Sequence, residues 1–340
     1  MRNKIAVLAT GSSSGETGGA ERFYGGLRNS LAERGVDADI VTVVSDESSF
    51  EAIEETYLRF YDLDMSEFDG VISTKAPAYL VRHPNHVCYL QHTMRVFYDM
   101  FDLEFPRPDS GLQAQRALIQ QLDTAALQCP RTRSRFVIGK QVRDRLREYN
   151  GLDAEVLYQA SNMTGFACRD YDYIFMPGRL HRWKRVSLVI EAMRYVGTPV
   201  RLIISGCGED ENVLRKMANG DTRIAFVGRV TDEQLLSLYA DALVVPFVPI
   251  REDFGLVTLE AFRSHKPVIT CRDSGEPANI VKDGISGYVC DPDPVKIAQS
   301  IDELYKNPGK AVTMGRAGAE SIADITWDKV AARLITALGY

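Results

Sequence analysis

The chain of 340 residues has no long hydrophobic run. Its first apolar stretch, Ile5–Ala9, has the length of a strand and falls far short of the roughly 20 residues that span a bilayer or of a signal-peptide core. A cytoplasmic protein is therefore expected. The six cysteines, at 88, 129, 168, 207, 271 and 290, include no C-x-x-C pair, and the five histidines never stand at i, i+4 beside a ligand-like partner. That spacing predicts reduced thiols and no structural zinc. An excess of positive charge is missing too. Forty Lys and Arg against 46 Asp and Glu leave a net charge of −6, so no overall field exists to hold a polyanion, and no nucleic-acid partner is expected. Neither G-x-G-x-x-G nor G-x-x-x-x-G-K-[ST] occurs, which weakens a plain hydride-transfer or ATPase reading.

What is present is 45% apolar and 25% charged residues, an ordinary globular composition at a length of about two domains. Short runs rich in Val, Ile, Leu and Phe alternate with longer stretches of helical spacing, the pattern of β-α units around a parallel sheet. Ile5–Ala9, Asp39–Val44, Gly70–Ser73, Val87–Gln91 and Phe136–Ile138 make one series of buried strands. Tyr173–Met176, Val200–Ser205, Ile224–Val227, Leu243–Pro246 and Val268–Cys271 make a second. Between them Tyr158–Asp172, with Ser, Asn, Thr, Gly and little periodicity, reads as a linker. The prediction is an α/β protein of two Rossmann-like doubly wound domains, residues 1–165 and 166–324. Residues 325–340 then add an amphipathic helix, with Trp327, Val330, Leu334 and Leu338 on one face, packing back on the first domain. Open α/β sheets bind ligands outside the carboxyl ends of their strands, and two such domains facing each other would form a cleft.

Three loops after strands carry candidate chemistry. Thr10–Glu21 follows the first strand, and Gly18 and Gly19 at the helix start leave backbone N–H groups uncovered for an anion or an acceptor hydroxyl. Read without a ligand, it is a flexible βα connection. After Tyr173–Met176, Arg179 and Lys184 bracket a loop where two fixed cations would neutralise a diphosphate, or would simply form a solvated cluster. In Glu252–Phe262, Leu256, Leu259 and Phe262 recur at helical spacing, so a helix starting near Phe254 offers free N–H groups to phosphate. Glu260 then lies roughly 9 Å farther along its axis, about the reach from a diphosphate to a ribose. A carboxylate there accepts two hydrogen bonds from a vicinal diol, and Glu252 before the helix faces hydroxyls beyond the phosphates. The plainer alternatives are a first-turn dipole partner for Glu252 and an exposed pair with Arg263 for Glu260.

Together, Gly18-Gly19-Ala20-Glu21, His92-Thr-Met-Arg95-Val-Phe-Tyr98-Asp99, Gly178-Arg179 with Lys184, Phe226-Val-Gly-Arg229 and the E-x7-E of Glu252 and Glu260 resemble the GT-B retaining glycosyltransferases of family 4, the group 1 glycosyltransferases. The likeness runs from about residue 4 to the terminal Trp327 helix and is strongest from Tyr173 to Asp291. It implies transfer of a sugar from a nucleoside-diphosphate donor, UDP- or GDP-linked, to a hydroxyl of a glycan, a lipid-linked glycan or a small molecule. Arg179 and Lys184 would hold the pyrophosphate, and Glu260 the ribose. Glu252 and the amides of Phe254, Gly255 and Leu256 would touch the donor sugar and distal phosphate. The backbone at Gly228, Arg229 and Val230 would read the base, and His92 would lie against the sugar near the reacting carbon. Arg95, Tyr98 and Asp99, at helical spacing after His92, would orient it or line the acceptor side.

No D-x-D stands in a suitable loop, so no cofactor or metal site is expected, Mg²⁺ on the diphosphate being optional. Two departures from the family pattern bear on sugar specificity: Ser264-His265 stands before Lys266-Pro267 where Ser-Gly is customary, and Gly275-Glu276-Pro277-Ala278-Asn279 replaces Gly-Gly-Pro-Ala-Glu. Rival readings are a nucleotide-sugar-binding protein without turnover and a nucleotide-sugar epimerase or hydrolase. The locally basic stretch from Arg131 to Arg147 reads first as a solvated helix face. A peripheral contact with anionic lipid at the inner membrane surface is the alternative, should the acceptor be membrane-linked.

Overall fold

Each residue of Ile5–Ala9 is completely buried, which a strand achieves only when helices cover both faces of its sheet. The computed structural model describes residues 3–11 and 19–340. It divides into two compact units, Met1–Asn162 with Ile325–Tyr340, and Met163–Asp324. In the first, β1 (Lys4–Gly11), β2 (Asp37–Val44), β3 (Gly70–Ser73), β4 (His86–Leu90), β5 (Thr132–Val137) and β6 (Glu155–Val156) form one parallel sheet in the order β2-β1-β3-β4-β5-β6. Helix Gly19–Glu33 presents Phe23, Leu27 and Leu31 to the interior, all buried.

The second unit repeats the plan with β7 (Tyr173–Pro177), β8 (Leu202–Ser205), β9 (Ile224–Gly228), β10 (Ala242–Pro246), β11 (Val268–Cys271) and β12 (Gly287–Cys290), ordered β12-β11-β10-β7-β8-β9 and parallel throughout. Its core gathers Ile174 and Met176 of β7, Leu202 and Ile204 of β8 and Val244 of β10 with Val189, Ile190 and Met193 of helix Val186–Met193. All ten strands expected from the sequence are present. The two not expected, β6 and β12, are sheet-edge strands: β6 has two residues, and β12 is Gly-Tyr-Val-Cys, only partly buried. Neither carries the continuous branched run that marks a central parallel strand.

Residues 157–172 hold no helix or strand, and the chain passes from one unit to the other within them. The last helix, Trp327–Leu338, is capped by Thr326 Oγ1, which accepts from the Lys329 amide at 3.3 Å. It buries Val330, Leu334 and Leu338 in the first unit, with the Trp327 and Phe23 rings 5.4 Å apart.

Candidate functional site

In the second sheet, successive strands step outward from β7 through β8 and β9 on one side, and from β10 through β11 and β12 on the other. The loops leaving the neighbouring carboxyl ends of β7 and β10 therefore part at a topological switch point, the position at which open α/β sheets take ligands. Both loops carry residues singled out above. Lys184 Nζ donates to Glu252 Oε2 at 2.6 Å, the two side chains being 29% and 16% exposed, and lies 5.6 Å from the Phe247 ring centroid.

Lys184 ends a single 3-10 turn, Arg182–Lys184, whose N-cap His181 accepts from the Trp183 amide through Nδ1. The next residue, Arg185, has φ +50, in the left-handed region that side chains other than glycine, Asn and Asp seldom enter. Its guanidinium explains why it is held there. Nε donates to the Val248 carbonyl at 2.7 Å and Nη2 to the Pro249 carbonyl at 2.9 Å, while Nη1 and Nη2 grip both carboxylate oxygens of Asp273 at 2.7 and 2.6 Å. Arg185 thus fastens three loops together, those after β7, β10 and β11. Sequence reasoning missed it, because its partners lie 63 to 88 residues away and no local periodicity connects them.

Glu252 is positioned through its backbone. Its amide donates to Ser274 O at 2.8 Å, its carbonyl accepts from the Glu276 amide at 2.9 Å, and the preceding Arg251 amide donates to Asp273 O at 2.9 Å. The Gly275–Asn279 segment, one of the two departures from the family pattern, is therefore the strip against which Glu252 is laid. Within it Glu276 is completely buried and accepts from Asn279 Nδ2 at 3.3 Å.

The following helix spans Leu256–Arg263, with Gly255 as its N-cap at φ +78. It starts two residues later than expected because Gly255 turns the chain in the left-handed region; a Cβ there would stand 2.4 Å from the Phe247 ring. Glu260 is consequently four residues into the helix, about 6 Å along the axis rather than 9. Among the described residues no side chain caps this helix start; the Thr258 amide donates to the Gly255 carbonyl at 3.0 Å, which leaves the Leu256 and Val257 amides for an acceptor. Phe254 is buried beneath it, and Leu256 is half-buried. Glu260 is buried rather than exposed, and Tyr239 Oη donates to its Oε2 at 2.8 Å. Burial and the neighbouring carboxylate keep the Tyr239 phenol protonated far above its ordinary range.

Arg179 stands apart from the Lys184–Glu252 pair. Its side chain is 67% exposed and its guanidinium is taken by Glu209, not by either glutamate of the E-x7-E. Hydrogen bonding from its own amide and from Arg179 lowers the Glu209 carboxyl below its usual range. The two cations expected to act as a pair are, in this state, one half-buried lysine and one solvent-facing arginine, each on its own carboxylate. At the end of β9, Gly228 O accepts from the Gly206 amide at 2.7 Å, and the exposed Arg229 sends Nε to Cys207 Sγ at 2.8 Å, with Val230 half-buried beside it. Gly206 has φ +111, and a Cβ there would meet the Gly178 carbonyl oxygen at 1.9 Å, so the ends of β7 and β8 approach as only glycine permits.

In the first unit, Gly18 lies outside the described residues and Gly19 opens its helix. His92 follows β4, half-buried, with Nδ1 on the Thr93 carbonyl at 2.9 Å. The segment after it is a short 3-10 turn, Arg95–Phe97, not a helix. Tyr98 and Asp99 turn inward instead of lining an acceptor surface. Tyr98 Oη donates to Asp123 at 2.7 Å, Tyr57 Oη donates to the other oxygen of Asp123 at 2.8 Å, and Asp99 pairs with the buried Arg145 at 2.9 Å and with Arg95 at 3.8 Å. Burial pushes the Asp123 carboxyl up to about 6.

Residues 167–321 match the family model for glycosyl transferases group 1. The chain carries a group 1 glycosyltransferase domain. Alpha-1,3/1,6-mannosyltransferase ALG2 from Homo sapiens is 26% identical over 311 residues, covering 80% of this chain and 73% of that protein. Sucrose-phosphate synthase (tll1590) from Thermosynechococcus elongatus superposes with a TM-score of 0.77 at 19% identity over 98% of both chains. Anabaena Alr3699/HepE in complex with UDP-glucose gives a TM-score of 0.73 at 16% identity, over 98% of this chain and 99% of that one. The glycosyltransferase has the GT-B fold of two Rossmann-like domains, and it is a transferase enzyme.

The basic run of this glycosyltransferase is largely spent internally. Arg145 is buried, Arg147 pairs with Asp153 at 2.9 Å, Arg143 with Asp144 at 3.0 Å, and Arg133 and Arg135 donate to the Leu338 and Leu127 carbonyls. These internal pairings leave a smaller cationic surface to face anionic lipid. No helix of the described residues is long and apolar enough to cross a membrane. The second departure from the family pattern also has a geometry: His265, where the family customarily has glycine, sits exposed at φ +55.

Proposed function

We propose that the enzyme moves a sugar from a nucleoside-diphosphate sugar, UDP- or GDP-linked, to a hydroxyl of a glycan, lipid-linked glycan or small-molecule acceptor, with retention at the anomeric carbon. The observation that carries this reading is the Lys184–Glu252 pair at the β7/β10 switch point, beside an uncapped helix start that leads to Glu260. The UDP-glucose bound by the Anabaena neighbour supports a donor of this class.

Breaking the bond between the anomeric carbon and phosphate leaves negative charge on the departing diphosphate. Lys184 and the amides at Gly255 and Leu256 receive it in this reading, and preorganised donors need not reorient as the charge develops. In the resting site Lys184 is neutralised by Glu252. An arriving diphosphate takes over the ammonium, and the released Glu252 carboxylate turns to sugar hydroxyls. Glu260, oriented by Tyr239, accepts from the ribose diol, and Arg179 exchanges Glu209 for the outer phosphate oxygens. The leaving phosphate accepts the acceptor's proton.

The test is a nucleotide-sugar screen against the purified protein, reading donor hydrolysis and thermal stabilisation, repeated with Lys184→Ala and Glu260→Gln. Loss of one oxyanion-type donor is expected to slow transfer ~10²–10³ fold. Wild-type transfer in both folded variants would overturn the assignment.

A further inference from the structure

Lys266, in the turn between helix Leu256–Arg263 and β11, has no exposed surface. Lysines are almost never fully buried unless paired with a carboxylate, yet the partners of this one are of other kinds. Its Nζ donates to the Asp170 carbonyl at 2.5 Å and to Cys168 Sγ at 3.4 Å, and lies 3.8 Å from the Tyr171 ring centroid. The strip that surrounds it is firmly held. The Arg169 and Asp170 amides both donate to the Ala240 carbonyl at 2.8 and 3.2 Å, the Arg169 guanidinium pairs with Asp241 at 2.6 Å, and Tyr171 Oη donates to the His265 carbonyl at 3.1 Å. Cys168 itself is exposed, and its sulfur is 3.3 Å from Tyr171 Oη. A solvent-facing thiol thus stands in contact with a nitrogen nucleophile sealed behind it, and none of the three side chains has a part in the transfer chemistry above.

We propose that Cys168 and Lys266 form a redox-responsive covalent site, in which a peroxide oxidises the thiol and the lysine nitrogen then closes on the sulfur. In the first step Cys–SH and H₂O₂ give Cys–SOH and water: the peroxide O–O bond breaks, an S–O bond forms, and sulfur loses two electrons. In the second, the neutral amine of Lys266 attacks that sulfur, the S–O bond breaks, and the hydroxyl leaves with a proton from nitrogen as water, leaving a Cys–S–NH–Lys sulfenamide. A sulfenic acid condenses with thiols and with backbone nitrogen in this way, and here an amine nitrogen is the contacting nucleophile. Burial favours the neutral amine that the second step needs. The product ties the 168–171 strip covalently to the turn after the Glu260 helix. A thiol reductant attacking the sulfur reverses it.

The experiment treats the full chain with hydrogen peroxide and reads the intact mass and its peptide map. The expected result is a mass lower by two hydrogen atoms, a cross-linked peptide joining Cys168 to Lys266, and recovery of the starting mass on adding a thiol reductant. Lys266→Met, which fills the same volume without the nitrogen, is expected to stop at a sulfenic acid that dimedone traps. Cys168→Ser, at an exposed position, is expected to yield neither product, and serves should the Met variant fail to fold. A wild-type chain that gives only sulfenic or sulfinic acid, or a disulfide, at Cys168 overturns the proposal, as does the same mass loss persisting in Cys168→Ser.

Discussion

Replacing Arg185 by alanine and, separately, by glycine divides its clasp from its backbone strain. Hydrogen bonds to a charged group contribute ~1.5–3 kcal/mol each. The side chain is 14% exposed and its partner Asp273 45%, so the two carbonyl bonds are taken at the lower end and the bidentate pair, screened by solvent, at ~1 kcal/mol. Loss of the clasp is then expected to cost the second unit about 4 kcal/mol in the alanine variant. Alanine retains the unfavourable φ of +50; glycine relieves it and recovers about 1 kcal/mol. Urea denaturation of the two variants beside wild type measures both quantities. Transfer is the second readout. Because Arg185 ties down the loops bearing Lys184 and Glu252, freeing them by even about 1 Å is expected to lower kcat on the order of 10²-fold with stability to spare. Equal stability of the alanine and glycine variants would remove the strain argument. A folded glycine variant with wild-type kcat would remove the positioning argument.

His265→Gly is expected to stabilise the protein by about 1 kcal/mol in chemical denaturation, since φ +55 suits glycine. Gly206→Ala is expected to destabilise by ~3 kcal/mol or more and to abolish donor binding by calorimetry, because its Cβ would meet the Gly178 carbonyl at 1.9 Å. Asp123 supplies a pH signature. Its folded pKa of about 6 lies above the ordinary 3.8, so the folded state binds the proton more tightly, and this group's contribution falls by ~3 kcal/mol as pH rises from about 4 through 6. Subtracting the stability–pH curve of Asp123→Asn from that of wild type isolates that slope; a flat difference would show the carboxyl unshifted.

The central strands of both sheets were legible because central parallel strands must be apolar throughout, as Ile5–Ala9 and Leu243–Pro246 are, whereas the edge strands Glu155–Val156 and Gly287–Cys290 carry no such run. The places of Lys184 and Glu252 in loops after strands, and of Glu260 on the helix that follows, were legible because loops after strands and helix starts have local signatures. The relations among them were not. That Lys184 rests on Glu252 depends on two strands adjacent in space but distant in the chain, Tyr173–Pro177 and Ala242–Pro246. The inward turn of Tyr98 and Asp99 follows from Asp123 and Arg145 on helices whose placement no spacing reveals. Arg179 read as a diphosphate clamp from its position alone, and only Glu209 nearby explains its resting attachment.

The two units are not equivalent as pieces of polypeptide. Met163–Asp324 is one uninterrupted stretch, whereas the first unit is completed only when residues 325–340 return to it. Expressed by itself, the uninterrupted stretch retains every strand of its own sheet. Cutting the chain before Thr326 instead strips from the amino-terminal half a helix that buries Val330, Leu334 and Leu338, so nicking or truncation near the carboxyl terminus would damage the portion made first.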